Sequence, residues 1–267
     1  MDPTDPIRST SRASRIASTR AWHPVIDLAS DLLGEPPGEG QIGRRLNARV
    51  VHLPPGEVGF PLGDEGEDWI GLLILDGMLV TSLRAGRAHT AWLLGAEDFI
   101  RPWDMSELVF TRHAGWRALE PTRVALLDRE FGMRAGGVPI VARALAARAS
   151  HTTTWLLAKA LVASAPVVEE RLLLLFALLG ERWGTVSAEG VTVHVPLTHA
   201  VLAELCGARR PSVTTALHRL QHGGFLSRTA DGGWLLRRDH AGSGGAPGPA
   251  CVPEYDDALG LAWPARA

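Results

Sequence analysis

The sequence predicts an α+β protein: an N-terminal β-roll, a long helix suited to pairing with a second copy, and a C-terminal winged helix-turn-helix. Three observations carry this. Between about residues 44 and 128, short apolar runs alternate with turn residues. From Val138 the apolar spacing changes to steps of three and four. From 196 to 238, two short helical patterns and a hairpin signal fall in a stretch dense in arginine.

At about 150 residues per domain, 267 residues make one large domain or two smaller ones. Hydrophobic residues at 46% and charged residues at 21% exclude a fibrous or disordered body. The longest apolar run, 172–179, is far below the roughly 18 residues of a membrane span, so no membrane partner is expected. Arg8, Arg12, Arg15 and Arg20 are followed by no apolar core, which argues against a secretory signal and for a cytoplasmic protein. Residues 1–20 are polar, without periodicity, and are expected to be disordered. The Gly/Ser/Pro mixture at 241–249 marks 240–267 as a flexible tail. Between them the chain divides into a roll at 21–137, a long helix at 138–165 and a winged domain at 166–239.

The roll's expected strands are 49–53, 69–75, 78–83, 90–94, 110–111, 116–119 and 123–127. Asp76-Gly77 reads as a tight hairpin turn joining the second to the third, because Gly accepts a positive φ. The long helix follows from Val138, Ala142, Leu145, Ala149, Thr152, Leu156, Ala160 and Ala163, one stripe that Pro166 ends. Small side chains on that stripe allow close helix approach, which suits a dimer seam; a helix lying along its own domain is the alternative. A second helix, 167–183, has Glu169 and Glu170 at the positive end of its dipole and an apolar middle that must be buried.

Thr198 is placed to cap a helix with Val201, Leu202 and Leu205 inward, and Gly207 ends it. Pro211 fits the first turn of the next helix, where its missing N–H leaves no bond unmade. That helix turns Val213, Ala216, Leu217 and Leu220 inward and Ser212, Thr214, Thr215, His218 and Arg219 outward. Strands at 225–228 and 234–237, joined through Asp231-Gly232-Gly233, make a wing. Between 207 and 238 lie Arg209, Arg210, Arg219, Arg228, Arg237 and Arg238 against one acid, Asp231. A basic face of this kind is what contact with double-stranded DNA requires. His218 and His222 form an i, i+4 pair, but no acid or thiol accompanies them and no metal site is expected.

The segment resembles the C-terminal winged helix-turn-helix of the CRP/FNR regulators, with their Leu-Thr start (Leu197-Thr198), Leu-Ala-x-Leu-x-Gly first helix (Leu202 to Gly207) and Ser/Arg-rich second helix. The order of roll, long helix and winged domain extends the resemblance over about 44–238. It implies a cyclic-nucleotide-binding-like roll, a dimerisation helix, and a homodimeric transcription regulator with double-stranded DNA and RNA polymerase as partners. By resemblance Arg210 holds the place of the family's base-reading Arg, and a guanidinium fork suits O6 and N7 of guanine. The family often has Glu next, where this chain has Pro211, so a different target sequence is expected. Thr215 and His218 can reach bases or phosphates; Thr198, Ser212 and Arg209 read as residues that position the backbone.

Cyclic-nucleotide-binding members of the family carry Gly-Glu after a Gly-Asp-Phe-like strand end, and an Arg followed by Ser or Thr eleven residues after that Gly. Here Glu97-Asp98-Phe99-Ile100 matches the strand end, but Arg101-Pro102 stand at the Gly-Glu positions, Arg112 holds the Arg position and His113 replaces the Ser. The carboxylate for the ribose hydroxyl is gone, so the pocket reads as degenerate and the effector as unknown. Arg101, Arg112 and His113 are the residues that would line a pocket for another small anion. Haem is a further alternative through His52, His89 and His113, whereas Cys206 and Cys251 are too few for an all-cysteine iron–sulfur site. No cofactor is expected. The rival reading, a signalling protein or enzyme with an incidental helix-turn-helix, finds no Gly-x-Ser-x-Gly elbow, phosphate-binding Gly-x-x-x-x-Gly-Lys loop or His-Glu-x-x-His helix, and no enzyme is expected.

Overall fold

A computed structural model describes residues 25–33, 46–60, 69–86, 88–105 and 113–237. The segments 1–20 and 240–267, the expected strand at 110–111 and Arg112 lie outside the described residues. The fold is α+β, with a β-rich N-terminal half and a C-terminal half of three helices and a four-stranded sheet. Two compact units are present: one combines residues up to 81 with 94–148, the other 82–93 with the residues from 149 on.

In the first unit, β1 (Val25–Asp27), β2 (Asn47–Leu53), β4 (Gly71–Asp76), β7 (Phe99–Ile100) and β9 (Thr122–Leu127) form a sheet in the order β1-β2-β9-β4-β7. A second sheet has the strand order β3 (Gly56–Val58), β8 (His113–Ala118), β5 (Leu79–Ala85), β6 (Ala88–Leu94), of which residues 82–93 are counted with the second unit. Helix α1 (Ala29–Leu33) and the short helix α2 (Arg129–Ala135) cover one side, and Leu28, Leu46, Val50, Leu73, Ala125, Leu127 and Phe131 form the core beneath them. Asp128 caps α2 by accepting from Phe131 N at 2.9 Å, and the same side chain holds Arg49 at 3.0 Å.

The turn at Asp76-Gly77 is a correction to the sequence reading. Gly77 has φ +84°, and a Cβ there would stand 2.4 Å from Thr122 Oγ1, so the need for glycine is real. The strands it joins, however, lie in different sheets: β4 pairs with β9 and β7, while β5 lies between β8 and β6. The turn is a corner between layers. A glycine reports a local dihedral, and the choice of strand partner is made by distant side chains.

Helix α3 runs Pro139–Ser164. The stripe read from the sequence is not a face buried within the chain: Ala142, Ala149, Leu156, Ala160 and Ala163 are exposed, and Leu145 and Thr152 are half-buried. The buried positions are Val141 and Val162, which stand outside that stripe, and Leu157 and Leu161 are 70% and 64% exposed.

The second unit is built around α4 (Val168–Trp183), whose Leu172, Leu173, Leu175, Phe176 and Leu179 are buried as its apolar middle requires. Against it pack α5 (His199–Cys206) and α6 (Arg210–His222). A sheet follows in the order β10 (Gly184–Val186), β11 (Gly190–Val193), β13 (Trp234–Arg237), β12 (Leu226–Arg228), with the Phe176 and Trp234 rings 5.3 Å apart. The β10–β11 pair was not expected from the sequence; it extends the wing hairpin to four strands.

Candidate nucleic-acid interface

The site begins with the Thr198 hydroxyl, which accepts from Val201 N at 3.2 Å and so caps α5. Gly207, in the left-handed region at φ +60°, ends that helix and turns the chain into α6. Pro211 occupies the first turn of α6, with Arg209 at the cap position. Val213, Ala216, Leu217 and Leu220 are buried. The periodicity thus forces Arg209, Arg210, Ser212, Thr215, His218 and Arg219 outward, and all are exposed.

Within this set the side chains differ in what holds them. Arg209 and Arg210 have no ion-pair partner among the described residues. Thr214, grouped with the outward residues from the sequence, is half-buried and donates to the Arg210 carbonyl at 3.1 Å while lying 3.1 Å from His199 Nδ1. Arg219 gives Nη1 to Glu169 Oε1 of α4 at 2.9 Å. Arg228 is a part of the wing's own structure. Its guanidinium lies 4.1 Å from the centre of the Trp234 ring, its cross-strand partner, and donates to the carbonyls of Gly232 and Leu197. Arg237 is half-buried on β13, and Arg238 lies outside the described residues.

The electrostatics of the face are visible at His199, which the sequence reading did not single out. Burial is the main cause that lowers its pKa, followed by the charges of Arg228 and Arg210 and by the neighbouring His218. Cationic side chains therefore converge on the start of α5. Nothing in the spacing around Thr198 distinguishes His199 beforehand, because its partners come from α6 and the wing. His218 and His222 are both exposed, and among the described residues no group of three His, Cys, Asp or Glu could hold a metal ion. Cys206 is buried, and burial pushes its thiol up to about 12, so it stays protonated at neutral pH.

Residues 170–241 match the Crp-like helix-turn-helix domain. The C-terminal domain is a Crp-like winged helix-turn-helix. Three solved structures extend the likeness upstream of this Crp-like domain. One is a CooA mutant from Carboxydothermus hydrogenoformans, with 18% identity and a TM-score of 0.56 over 72% of this chain and 84% of that one. Another is a cyclic nucleotide-binding domain containing protein from Listeria monocytogenes, with 14% identity and a TM-score of 0.58 over 71% and 89%. The third is a CRP/FNR-family transcriptional regulator from Thermus thermophilus, with 18% identity and a TM-score of 0.52 over 73% and 95%. The chain therefore has the fold of the CRP/FNR transcription regulators, with its DNA-binding type of domain at the C-terminal end. A search among curated proteins found no match. Among the described residues no helix is long and apolar enough to cross a membrane.

In the roll, Arg101 is engaged from within: its Nε lies 3.2 and 3.0 Å from the two Asp104 carboxylate oxygens, and it reaches toward the Ile70 carbonyl. Pro102 is buried and opens a 3-10 turn, Pro102–Met105, where the family pattern would have its Glu. His113 begins β8; its side chain, like the whole of Arg112, is outside the described residues. Of the proposed haem ligands, His52 and His89 are exposed.

Proposed function

We propose that the protein is a homodimeric, sequence-specific DNA-binding transcription regulator of the cytoplasm, not an enzyme, with a degenerate cyclic-nucleotide pocket in its roll. The observation that carries this is the composition of α6 in a Crp-like domain. One face is sealed against the domain by four apolar side chains, and the other offers Arg209, Arg210, Ser212, Thr215 and His218 to solvent beside a wing. In this reading Arg210 reads bases, Thr215 and His218 reach bases or phosphates, and Thr198, Ser212 and Arg209 fix the backbone register. Thr214 serves the join between α5 and α6 instead.

The exposed Leu157 and Leu161 of α3, one turn apart, with exposed Leu156 at their flank, support pairing with a second copy, since large apolar groups gain by being covered. Two copies set α6 into successive major grooves about one helical turn apart, so the operator is two-fold related. Contact with RNA polymerase belongs to the same reading. Selection of bound sequences from random duplexes tests it: a palindromic consensus is expected, and a pool without enrichment would refute the assignment.

A further inference from the structure

Helix α6 carries two kinds of arginine. Arg209 and Arg210, at its start, are exposed and form no ion pair among the described residues. Arg219, about two and a half turns along, is tied to Glu169 in the first turn of α4. The Glu169 side chain is 17% exposed and the Arg219 side chain 72%. Packing therefore holds the carboxylate in place, and the arginine comes to it.

An ion pair with so exposed a partner contributes little to folding. The helix dipole does not require Glu169 either, because Glu170 stands in the same turn of α4. What the pair does change is the charge that α6 offers. A carboxylate oxygen accepts from a guanidinium N–H much as a phosphate oxygen does, here Glu169 Oε1 from Arg219 Nη1, so the arginine engaged by one is drawn away from the other.

We infer that Glu169 is a built-in phosphate mimic that holds Arg219 and lowers the affinity of this face for DNA of any sequence. The inference rests on the DNA-binding reading above. Its consequence is selectivity: phosphate contacts strengthen binding to every sequence alike, so withholding one cation leaves base contacts a larger share of the total.

The test measures affinity of the full chain for a selected site and for random duplex across a salt series. The forms compared are the wild type, Glu169→Gln, Arg219→Ala and the double variant. Each phosphate contact contributes a slope of about 0.9 in log K against log salt, worth roughly eightfold at about 0.1 M. Glu169→Gln is expected to tighten both duplexes by about that factor and to steepen the slope by about 0.9. Arg219→Ala is expected to weaken both duplexes, most at low salt, because it leaves Glu169 bare beside phosphates and salt screens that repulsion. The double variant, with neither charge, should keep the affinity and the slope of the wild type. Glu169→Gln and the double variant read the idea separately, so a folding defect in one does not hide the answer. If the double variant binds more weakly than the wild type and flattens the slope by about 0.9, Arg219 already contacts phosphate and the inference alone is overturned. A wild-type chain with no affinity for either duplex would overturn the DNA-binding reading, and the inference with it.

Discussion

The Thr214 hydroxyl donates to the carbonyl of Arg210 at 3.1 Å and lies 3.1 Å from His199 Nδ1, so one oxygen joins the first turn of α5 to the first turns of α6. With its single proton given to the carbonyl, the hydroxyl can only accept from the ring, which assigns the proton of His199 to Nδ1. The join fixes the height of α6 relative to α5. Thr214→Val keeps the shape and removes the acceptor, leaving the ring N–H without a partner. Urea unfolding should show a loss of about 1 to 2 kcal/mol, and Thr214→Ser should restore most of it.

The same histidine predicts a pH dependence of stability. Its pKa in the folded protein lies below the ordinary 6.5, mainly through burial and then through Arg228, Arg210 and His218. Between those two values the unfolded chain binds the proton and the folded chain does not, so stability rises with pH across that window. Above 6.5 the group costs nothing, and acidification below it progressively destabilises the domain. His199→Gln removes this contribution. The difference in urea midpoint between variant and wild type should therefore shift in favour of the variant on going from neutral to acidic buffer, and a constant difference would contradict the assignment.

Arg210 and Arg209 are neighbours with different expected roles. Arg210→Ala should cost about 1 to 3 kcal/mol at the selected operator and little on random duplex, the signature of a lost bidentate base contact. Arg209→Ala should weaken both duplexes alike and flatten the salt slope by about 0.9, as loss of one phosphate contact does. Fluorescence anisotropy titrations at several salt concentrations separate the two.

The contrast between those neighbours also marks what a sequence can reveal. The helix-turn-helix is legible because its signals are local: the Thr198 cap, the stop at Gly207, Pro211 in a first turn, and the spacing from Val213 to Leu220. The wing is legible for the same reason. What the spacing does not carry is which outward side chains are already engaged. Arg219 meets Glu169 from fifty positions earlier, and Arg228 stacks on Trp234 only once the hairpin register sets them opposite each other. In the roll, the glycine turn after Asp76 is correctly located, yet β5 leaves the sheet of β4 because its pairing depends on β8, a strand far along the sequence. Helix α2 escapes notice because seven residues are too few to establish a period, although the cap at Asp128 is a readable start signal.

Cyclic nucleotides provide a separate test of the roll. The anion-binding capacity of Arg101 is met by Asp104, and Pro102 supplies neither a carboxylate for a ribose hydroxyl nor an N–H for a phosphate. Calorimetric titration with cyclic AMP and cyclic GMP should therefore give no heat of tight binding. Asp104→Ala removes the carboxylate beside the guanidinium and should improve binding of simple anions at that turn; tight binding of either nucleotide to the unaltered chain would contradict the reading of a degenerate pocket.

Pairing through α3 makes the last prediction. Leu157 and Leu161 are one helical turn apart and largely exposed, with Leu156 and Ala160 beside them, so together they form an apolar strip on the C-terminal half of the helix. Covering each leucine is worth about 1.5 to 3 kcal/mol, and a two-fold interface counts every one twice. Arginine at these positions places like charges against each other across the axis without disturbing the buried Val141 and Val162. Leu157→Arg with Leu161→Arg should sediment as a single chain where the wild type sediments as two. Affinity for the two-fold operator should fall steeply, while binding to an isolated half-site stays as it was, because the substitutions leave α6 untouched. A double variant that still sediments as a pair would move the seam away from this strip.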